Sequence, residues 1–356
     1  TMTGGEGGND TLMGGAGDDN LSAFSNSDSV YLDGGLGNDS LYGGHGNDTL
    51  VGGSSFDWLE GGDGNDVYIV SSRDVYINDV NGDDTAIVSV DFVKIPTTIE
   101  HVTYVNGAKA LPYWIDALIP NDASAYRTLL GPSKTFNYAF PGAPPSYDVS
   151  SSDQSGYTPF NAQQKAFSLL AFNYISNVVD LHFVETNAPN SLNTIAFANN
   201  NQSSSAGYSY FPDVDFIGSD VFLKNSADNL APADGHYSAL VYIHEIGHAL
   251  GLKHPFSHAQ ANGGTDSGPF LPDAEDNSTW TVMSYDSKAE DYHLEYSDLD
   301  IAALQYLYGP SKTARTGDDL YKINPLTSNF IWDGAGKDTL SAEGVTANAT
   351  LYLDPC

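Results

Sequence analysis

The sequence predicts an α+β chain: an all-β module followed by a globular domain in which a mixed sheet is joined by two long helices. Three observations carry this. A nine-residue glycine and aspartate repeat with phased leucines opens the chain, the composition shifts abruptly near residue 67, and apolar spacing of helical period appears beyond residue 160. With 13 Lys and Arg against 46 Asp and Glu, the net charge of −33 argues against nucleic acid and anionic membrane surfaces as partners. The acids divide into 37 Asp and 9 Glu, a skew toward turns and oxygen-rich cation sites rather than exposed helices. The one cysteine, Cys356, allows no disulfide framework and no thiolate metal site. No apolar run reaches the length of a membrane span, and no secretory signal pattern follows Thr1. The expectation is a chain without membrane insertion that is a segment of a longer protein.

Half of the 36 glycines precede residue 67, in a stretch with no Lys or Arg. The best-ordered copies begin at Gly34, Gly43, Gly52 and Gly61, with earlier ones at Gly14 and Gly4. In each copy the small half turns the backbone through positive φ and the following x-Leu-x half supplies one inward apolar residue. Leu41, Leu50, Leu59 and Tyr68 are therefore expected to line a narrow core. Asp10, Asp19, Asp39, Asp48, Asp57 and Asp66 recur at one phase, so stacking would pile like charges together unless calcium ions sat between successive turns. At these residues the sequence resembles the RTX (repeats-in-toxin) calcium-binding nonapeptide family. That resemblance implies a parallel β-roll and export by the type I secretion machinery of Gram-negative bacteria.

Residues 67 to 111 continue with alternating apolar patterns (VYIV, DVYINDV, TAIVSVDFV, IEHVTYV) and are expected to form a β-rich cap on the repeats at 1 to 66. A domain boundary is expected at 112. Beyond it, FNYAF at 136 to 140 reads as a strand stopped by Pro141 and Gly142. Residues 161 to 178 read as a helix burying Ala166, Phe167, Leu170, Ala171, Tyr174, Ile175 and Val178, and LHFVE, NTIAFA and AGYSYF read as three strands.

A second helix is expected from about His236 through Leu250, and it carries the segment HEIGHALGLKH. His244 and His248, at i and i+4, stand on one helical face within reach of one ion, and Glu245 can reach a ligand of that ion without binding it. Gly251 can turn the chain after the helix so that His254 returns as third ligand. Three imidazoles leave the open fourth position that catalytic zinc requires. About thirty residues on, TVMSYDS places Met283 as an apolar floor and Tyr285 two residues later. Of the other histidines, His45, His101, His236, His258 and His293 have no ligand spacing and are read as surface or packing residues.

The elongated zinc signature with its Met-turn resembles the metzincin clan of metallopeptidases, and Pro255 after the last histidine with Met-Ser-Tyr in the turn resembles the serralysins. The resemblance covers residues 112 to about 340; 112 to 312 would be the metzincin-like peptidase domain with its twisted sheet and two long helices. It implies that Tyr285 is a switchable zinc ligand that helps to stabilise the oxyanion. It also implies that 313 to 356 begin a C-terminal β module holding calcium through Asp333, Asp338 and Asp319, with carbonyls near Arg315 and Gly317. Repeats precede the peptidase here, whereas in serralysins they follow it, and Asp286 stands where serralysins often have Trp.

The function expected from these features is that of a secreted, extracellular, monomeric zinc endopeptidase acting on proteins or peptides with broad specificity. Its folding would depend on several calcium ions. The alternative is a segment of a large RTX adhesin or surface-layer protein, in which the peptidase domain serves self-processing or is vestigial; the intact Glu245 counts against the vestigial form.

Overall fold

The fold is that of a computed structural model describing residues 1 to 356 except 6, 25–27, 80, 258–267, 288–291, 325–329 and 347–356, and except the side chains of 124, 125 and 127. His258 lies outside the described residues. Two compact units divide the chain: residues 1–128 with 256–270, and residues 129–255 with 271–356. The first stretch of the first unit runs to Thr128.

In the first unit the nonapeptides become short strands that alternate between two sheets. One holds β1 (Met2–Thr3), β3 (Asn20–Ser22), β5 (Ser40–Gly44), β7 (Asp57–Gly62) and β9 (Val75–Ile77); the other holds β2 (Thr11–Ala16), β4 (Tyr31–Leu36), β6 (Thr49–Ser54), β8 (Val67–Val70), β10 (Thr85–Val88) and β11 (His101–Tyr104). All these pairings are parallel. Because two nonapeptides complete one turn, residues eighteen apart (twenty between Leu21 and Leu41, where extra residues are inserted) come into register and equivalent apolar positions stack. Leu32, Leu50, Tyr68 and Ala86 form one inward column, and Leu21, Leu41, Leu59 and Ile77 the facing one. These residues are almost wholly buried, so each turn contributes roughly 1.5–3 kcal/mol per large apolar side chain, before the entropy of ordering is charged against it. Residues 67 to 111 extend these same two sheets instead of closing them with a separate cap. Gly53 shows why glycine recurs: its φ is +104°, and a β-carbon there would stand 2.0 Å from the Gly35 carbonyl oxygen of the turn below. Two helices, α1 (Tyr113–Asp116) and α2 (Ala123–Leu130), follow.

The second unit holds a six-stranded sheet. Its main path runs β14 (His182–Glu185), β12 (Thr135–Ala139), β15 (Thr194–Asn200), β17 (Val221–Lys224), β16 (Gly207–Ser209), and β13 (Thr158–Pro159) pairs beside β15. Strands β12, β14, β15 and β17 are mutually parallel, while β16 runs antiparallel to β17 at the sheet edge. Helix α3 (Ala162–Val178) starts on a capping box in which Asn161 and Gln164 bond each other's backbone. It buries Gln164, Phe167, Ser168, Ala171, Phe172, Ile175 and Val178. Ala166 and Leu170, expected inside, are exposed. Phe172 takes the inward position because it stacks on Phe183 of the sheet with ring centroids 4.2 Å apart. The short α4 (Ala227–Leu230) precedes α5 (Tyr237–Ala249), and α6 (Asp298–Tyr308) lies behind α5, its Tyr308 hydroxyl donating to the Leu250 carbonyl at 2.8 Å. Two short parallel strands, β18 (Leu320–Lys322) and β19 (Thr339–Ser341), end the described chain. Among the described residues no helix is long and apolar enough to cross a membrane.

Candidate metal centres and their surroundings

Helix α5 is buried along its length, so the histidines it carries are held by a rigid element. After Ala249 the chain turns by a Schellman motif: Gly251 has φ +99°, its N–H bonds the His248 carbonyl at 2.8 Å, and the Leu252 N–H bonds the Gly247 carbonyl at 2.9 Å. That turn returns His254 to the helix face. His244, His248 and His254 are buried and present one ring nitrogen each to a common point. The Nε2 atoms of His248 and His254 are 3.1 Å apart. Ligands on one tetrahedral ion with Zn–N bonds of about 2.0–2.1 Å stand ~3.4 Å apart. The far nitrogens are already committed: His248 Nδ1 lies 2.6 Å from the Leu252 carbonyl oxygen and His244 Nδ1 lies 2.8 Å from that of Val282. Carbonyl acceptors there leave each Nε2 lone pair aimed at the common point. The donor set therefore fits zinc.

Glu245 is buried beside this cluster, and its Oε2 has no hydrogen-bond partner among the described residues. Burial pushes its carboxyl up to about 8, opposed by the nearby Ser209 hydroxyl, which donates to the Glu245 carbonyl at 2.8 Å. A cation at the imidazoles would draw it back down. Tyr285 is more than half exposed, with its ring centroid 4.9 Å from that of His254 and 5.9 Å from that of His244. Met283 is fully buried against α5, where Gly247 makes room: a β-carbon on Gly247 would stand 2.7 Å from Met283 Sδ.

Three further residues complete the surroundings: Asp300, which sequence reasoning missed, and Gly207 and Ser209, which it placed on a strand without joining them to the zinc motif. Asp300 of α6, fully buried, accepts from Thr281 Oγ1 (2.6 Å), Val282 N (2.8 Å) and Ser297 N (3.0 Å), so it anchors the segment whose Val282 carbonyl orients His244. Gly207 and Ser209 of β16 lie against Glu245. No local spacing could have joined them to the zinc motif. The strand expected from AGYSYF, residues 206 to 211, lies at Gly207–Ser209 on the edge of the sheet, and Phe211 just beyond it stands edge-on to His248 at 5.8 Å.

In the repeats each aspartate forms a rung. Asp39 N–H donates to Asp57 Oδ1, Asp48 N–H to Asp66 Oδ1, and Asp66 N–H to Asp84 Oδ1, at 2.7–3.1 Å. Oδ2 of Asp39, Asp48 and Asp66 is buried without a hydrogen-bond partner, the orphaned oxygen that a cation would satisfy. Burial and neighbouring carboxylates push Asp57 and Asp66 up to about 7 and Asp84 up to about 6. Asp10 and Asp19, at the start, are only partly buried. Among the described residues the structure gathers carboxylates in threes at Asp66, Asp79 and Asp84, and at Asp319, Asp333 and Asp338. Asp79 and Asp84 escaped the sequence reading because Asp79 replaces the first glycine of a degraded copy. Tyr68, standing where other copies have Leu, donates to Asp79 and accepts from the Gly61 N–H at 2.8 Å. At the C-terminal group, a β-carbon on Gly334 would meet the Ala314 and Ser311 carbonyl oxygens, and one on Gly336 that of Gly317, so carbonyls crowd the same loop. Among the other described histidines, exposed His45 lies 2.8 Å from Asp63, His101 3.0 Å from Asp83 and His293 3.5 Å from Asp234; His236 holds the N-cap position of α5 without a side-chain capping bond, and His182 is exposed on β14.

Comparison with known proteins adds two findings. The family model of the RTX calcium-binding nonapeptide repeat (4 copies) matches residues 4–35, 31–55 and 46–72. The chain is 32% identical over 268 residues to metallopeptidase AprA of Pseudomonas marginalis, covering 65% of this chain and 55% of that protein. It is 31% identical over 231 residues to serralysin C of Dickeya chrysanthemi (57% and 48%) and 35% identical over 171 residues to a serralysin of Proteus mirabilis (42% and 32%). The chain spans about half the length of the first two of these relatives and a third of the last. Residues 4–72 thus match the RTX calcium-binding repeat, and the chain is similar to metallopeptidase AprA and serralysin C over more than half its own length.

Proposed function

We propose that the chain is a secreted zinc endopeptidase that hydrolyses peptide bonds in proteins, with His244, His248 and His254 holding the zinc and calcium ordering the repeats. The observation that carries this reading is the pairing of three converging imidazole nitrogens with a buried carboxylate oxygen, Glu245 Oε2, that has no hydrogen-bond partner among the described residues. When bound, zinc supplies a Lewis acid that acidifies water and polarises a carbonyl. Glu245 accepts the water proton at Oε2 and delivers it to the leaving amine. The Tyr285 hydroxyl donates to the oxygen that gains charge in the transition state, and its exposure leaves the ring room to move. Met283, packed on Gly247, floors the cluster with apolar surface.

An extended substrate pairs its main chain with the free edge of β16. Main-chain pairing reads no side chains, so broad specificity follows. Export by type I machinery, an extracellular setting and a monomeric state belong to this reading. So does calcium at the stacked aspartates, because buried like charges at strand spacing repel one another unless a cation lies between them. The relatives found are peptidases rather than adhesins, which favours this reading over the adhesin alternative.

The test compares casein cleavage and bound zinc in the wild type and in Glu245→Ala. Zinc is expected to stay at the same content while activity falls by at least about 10³-fold, as for the loss of a general base whose reaction depends on it. Equal activity in the two proteins removes Glu245 from the mechanism.

A further inference from the structure

The edge strand β16 is held from both faces, and the two faces meet different machinery. Its odd residues face α5: a β-carbon on Gly207 would touch the Glu245 side chain, and Ser209 Oγ donates to the Glu245 carbonyl. Its even residues face away. The hydroxyls of Tyr208 and of Tyr210, the residue just past the strand, both end on one carboxylate, donating to Asp153 Oδ1 at 2.7 Å and to Oδ2 at 2.8 Å. Asp153 is buried, Asn200 Nδ2 donates to the Tyr208 hydroxyl at 2.6 Å, and the Tyr208 ring stacks on Phe222 at 5.2 Å. Burial and the Asp153 carboxylate push both tyrosines up, so the hydroxyls remain donors throughout the ordinary pH range.

The hydrogen bonds to β17 show which backbone groups are left for a substrate. Tyr210 N–H donates to the Asp220 carbonyl, and Lys224 N–H donates to the Ala206 carbonyl, so the even residues spend their main-chain groups on β17. By the alternation of a strand, Gly207 and Ser209 point theirs to the open edge. The residues that can pair with substrate are thus the ones that abut Glu245, and the residues between them are the ones fastened to Asp153.

From this arrangement we propose that Asp153 is a positioning residue: through the Tyr208 and Tyr210 hydroxyls it fixes the edge of β16 at the height from which a bound peptide backbone is presented to Glu245. This rests on the peptidase reading. A carboxylate bridging two side chains on one face resists both tilt and slide of a short strand that pairs on one edge only. Misplacement of about 1 Å at such a point costs up to about a hundredfold in rate.

The test uses the full-length zinc-loaded protein, an extended fluorogenic decapeptide and copies of it with single N-methylated amides. In the wild type at least one N-methylation is expected to lower kcat/KM about tenfold, the loss of one backbone hydrogen bond. Tyr208→Phe with Tyr210→Phe keeps both rings and removes only the hydroxyls. It is expected to lower kcat/KM on the parent peptide by about tenfold to a hundredfold, mainly through KM, and to shrink the N-methyl penalty to about twofold. Asp153→Asn should move the same quantities in the same direction. Amide hydrogen exchange at Gly207 and Ser209 in the metal-free variants should quicken about tenfold or more while that of α5 is unchanged. Wild-type exchange at β16, or a slower enzyme that keeps the full N-methyl penalty, overturns the assignment. A zinc-loaded wild type with no peptidase activity overturns the underlying reading instead, and the exchange measurement then still decides whether Asp153 holds the strand.

Discussion

A β-carbon on Gly207 would stand 2.7 Å from Cγ of Glu245 and 2.8 Å from its Oε1. The glycine is needed for space, since its backbone is not in the left-handed region. Gly207→Ala therefore leaves the strand unstrained and forces the Glu245 carboxylate aside. We expect kcat to fall about a hundredfold with zinc content and melting temperature nearly unchanged. Steady-state kinetics with metal analysis checks this, and a fully active alanine variant would remove the contact from the argument about catalysis.

Asp300 accepts from the Val282 N–H, and the Val282 carbonyl oxygen lies 2.8 Å from His244 Nδ1. Asp300→Ala leaves two buried donors and one half-buried donor without an acceptor, at a cost of about 2–3 kcal/mol or more. Chemical denaturation should report that loss, and zinc competition with a chelator should report about tenfold weaker binding through the less constrained His244.

The same residue predicts a pH dependence. Burial pushes the Asp300 carboxyl up to about 7 against the three hydrogen bonds that hold it down, from a value of 3.8 when exposed. The folded state then holds a proton that the unfolded state has released between those two values, so Asp300 makes stability fall as pH rises from about 4 to about 7. Below and above that window its contribution is flat. Asp300→Asn cannot titrate, so the difference in unfolding free energy between wild type and variant should slope across that window and nowhere else. A pH-independent difference would refute the shift.

Gly251 tests the turn. With φ +99°, alanine at this position is strained by about 1–2 kcal/mol and shifts the return of His254. The variant should retain helix α5 by circular dichroism but bind zinc at least about tenfold more weakly. Unaltered zinc affinity would mean that His254 reaches the cluster without this turn.

For the repeats, chelation at neutral pH should cost the full-length protein β-structure that calcium restores, because Asp57 and Asp66 are buried among like charges. Tyr68 stands beside the Asp66, Asp79 and Asp84 group, so terbium bound there should luminesce on tyrosine excitation. Tyr68→Phe should dim that signal, and Asp79→Asn should weaken the binding itself. A circular dichroism spectrum indifferent to both chelator and calcium would refute cation-dependent order.

Much of the candidate site could be read from short spacings. His244 and His248 are neighbours because four residues make roughly one helical turn, and Gly251 marks the turn that brings His254 back. Leu41, Leu50 and Leu59 point inward because the nonapeptide repeats their environment each time. The inward face of α3 was less legible. Apolar residues run nearly around that helix, and only the sheet, through Phe183, selects Phe172 over Leu170. Strand β17 and helix α6 were not read at all, since VFLK is too short to show a period and α6 is buried over most of its surface.

By itself the sequence determined which atoms this protein can offer: three imidazoles at helical spacing, one carboxylate beside them, and a column of aspartates with a nine-residue period. Those properties are local, and a chain keeps them wherever its segments travel. Tertiary structure alone decided what surrounds them. Gly207 with Glu245, Asp300 with Val282, Asp153 with two tyrosines, and Asp79 with Asp66 are pairs brought together by packing and by strand register, and most are separated by tens of residues. No local rule links such partners, because the free energy that joins them is gained only when whole elements have already found their places.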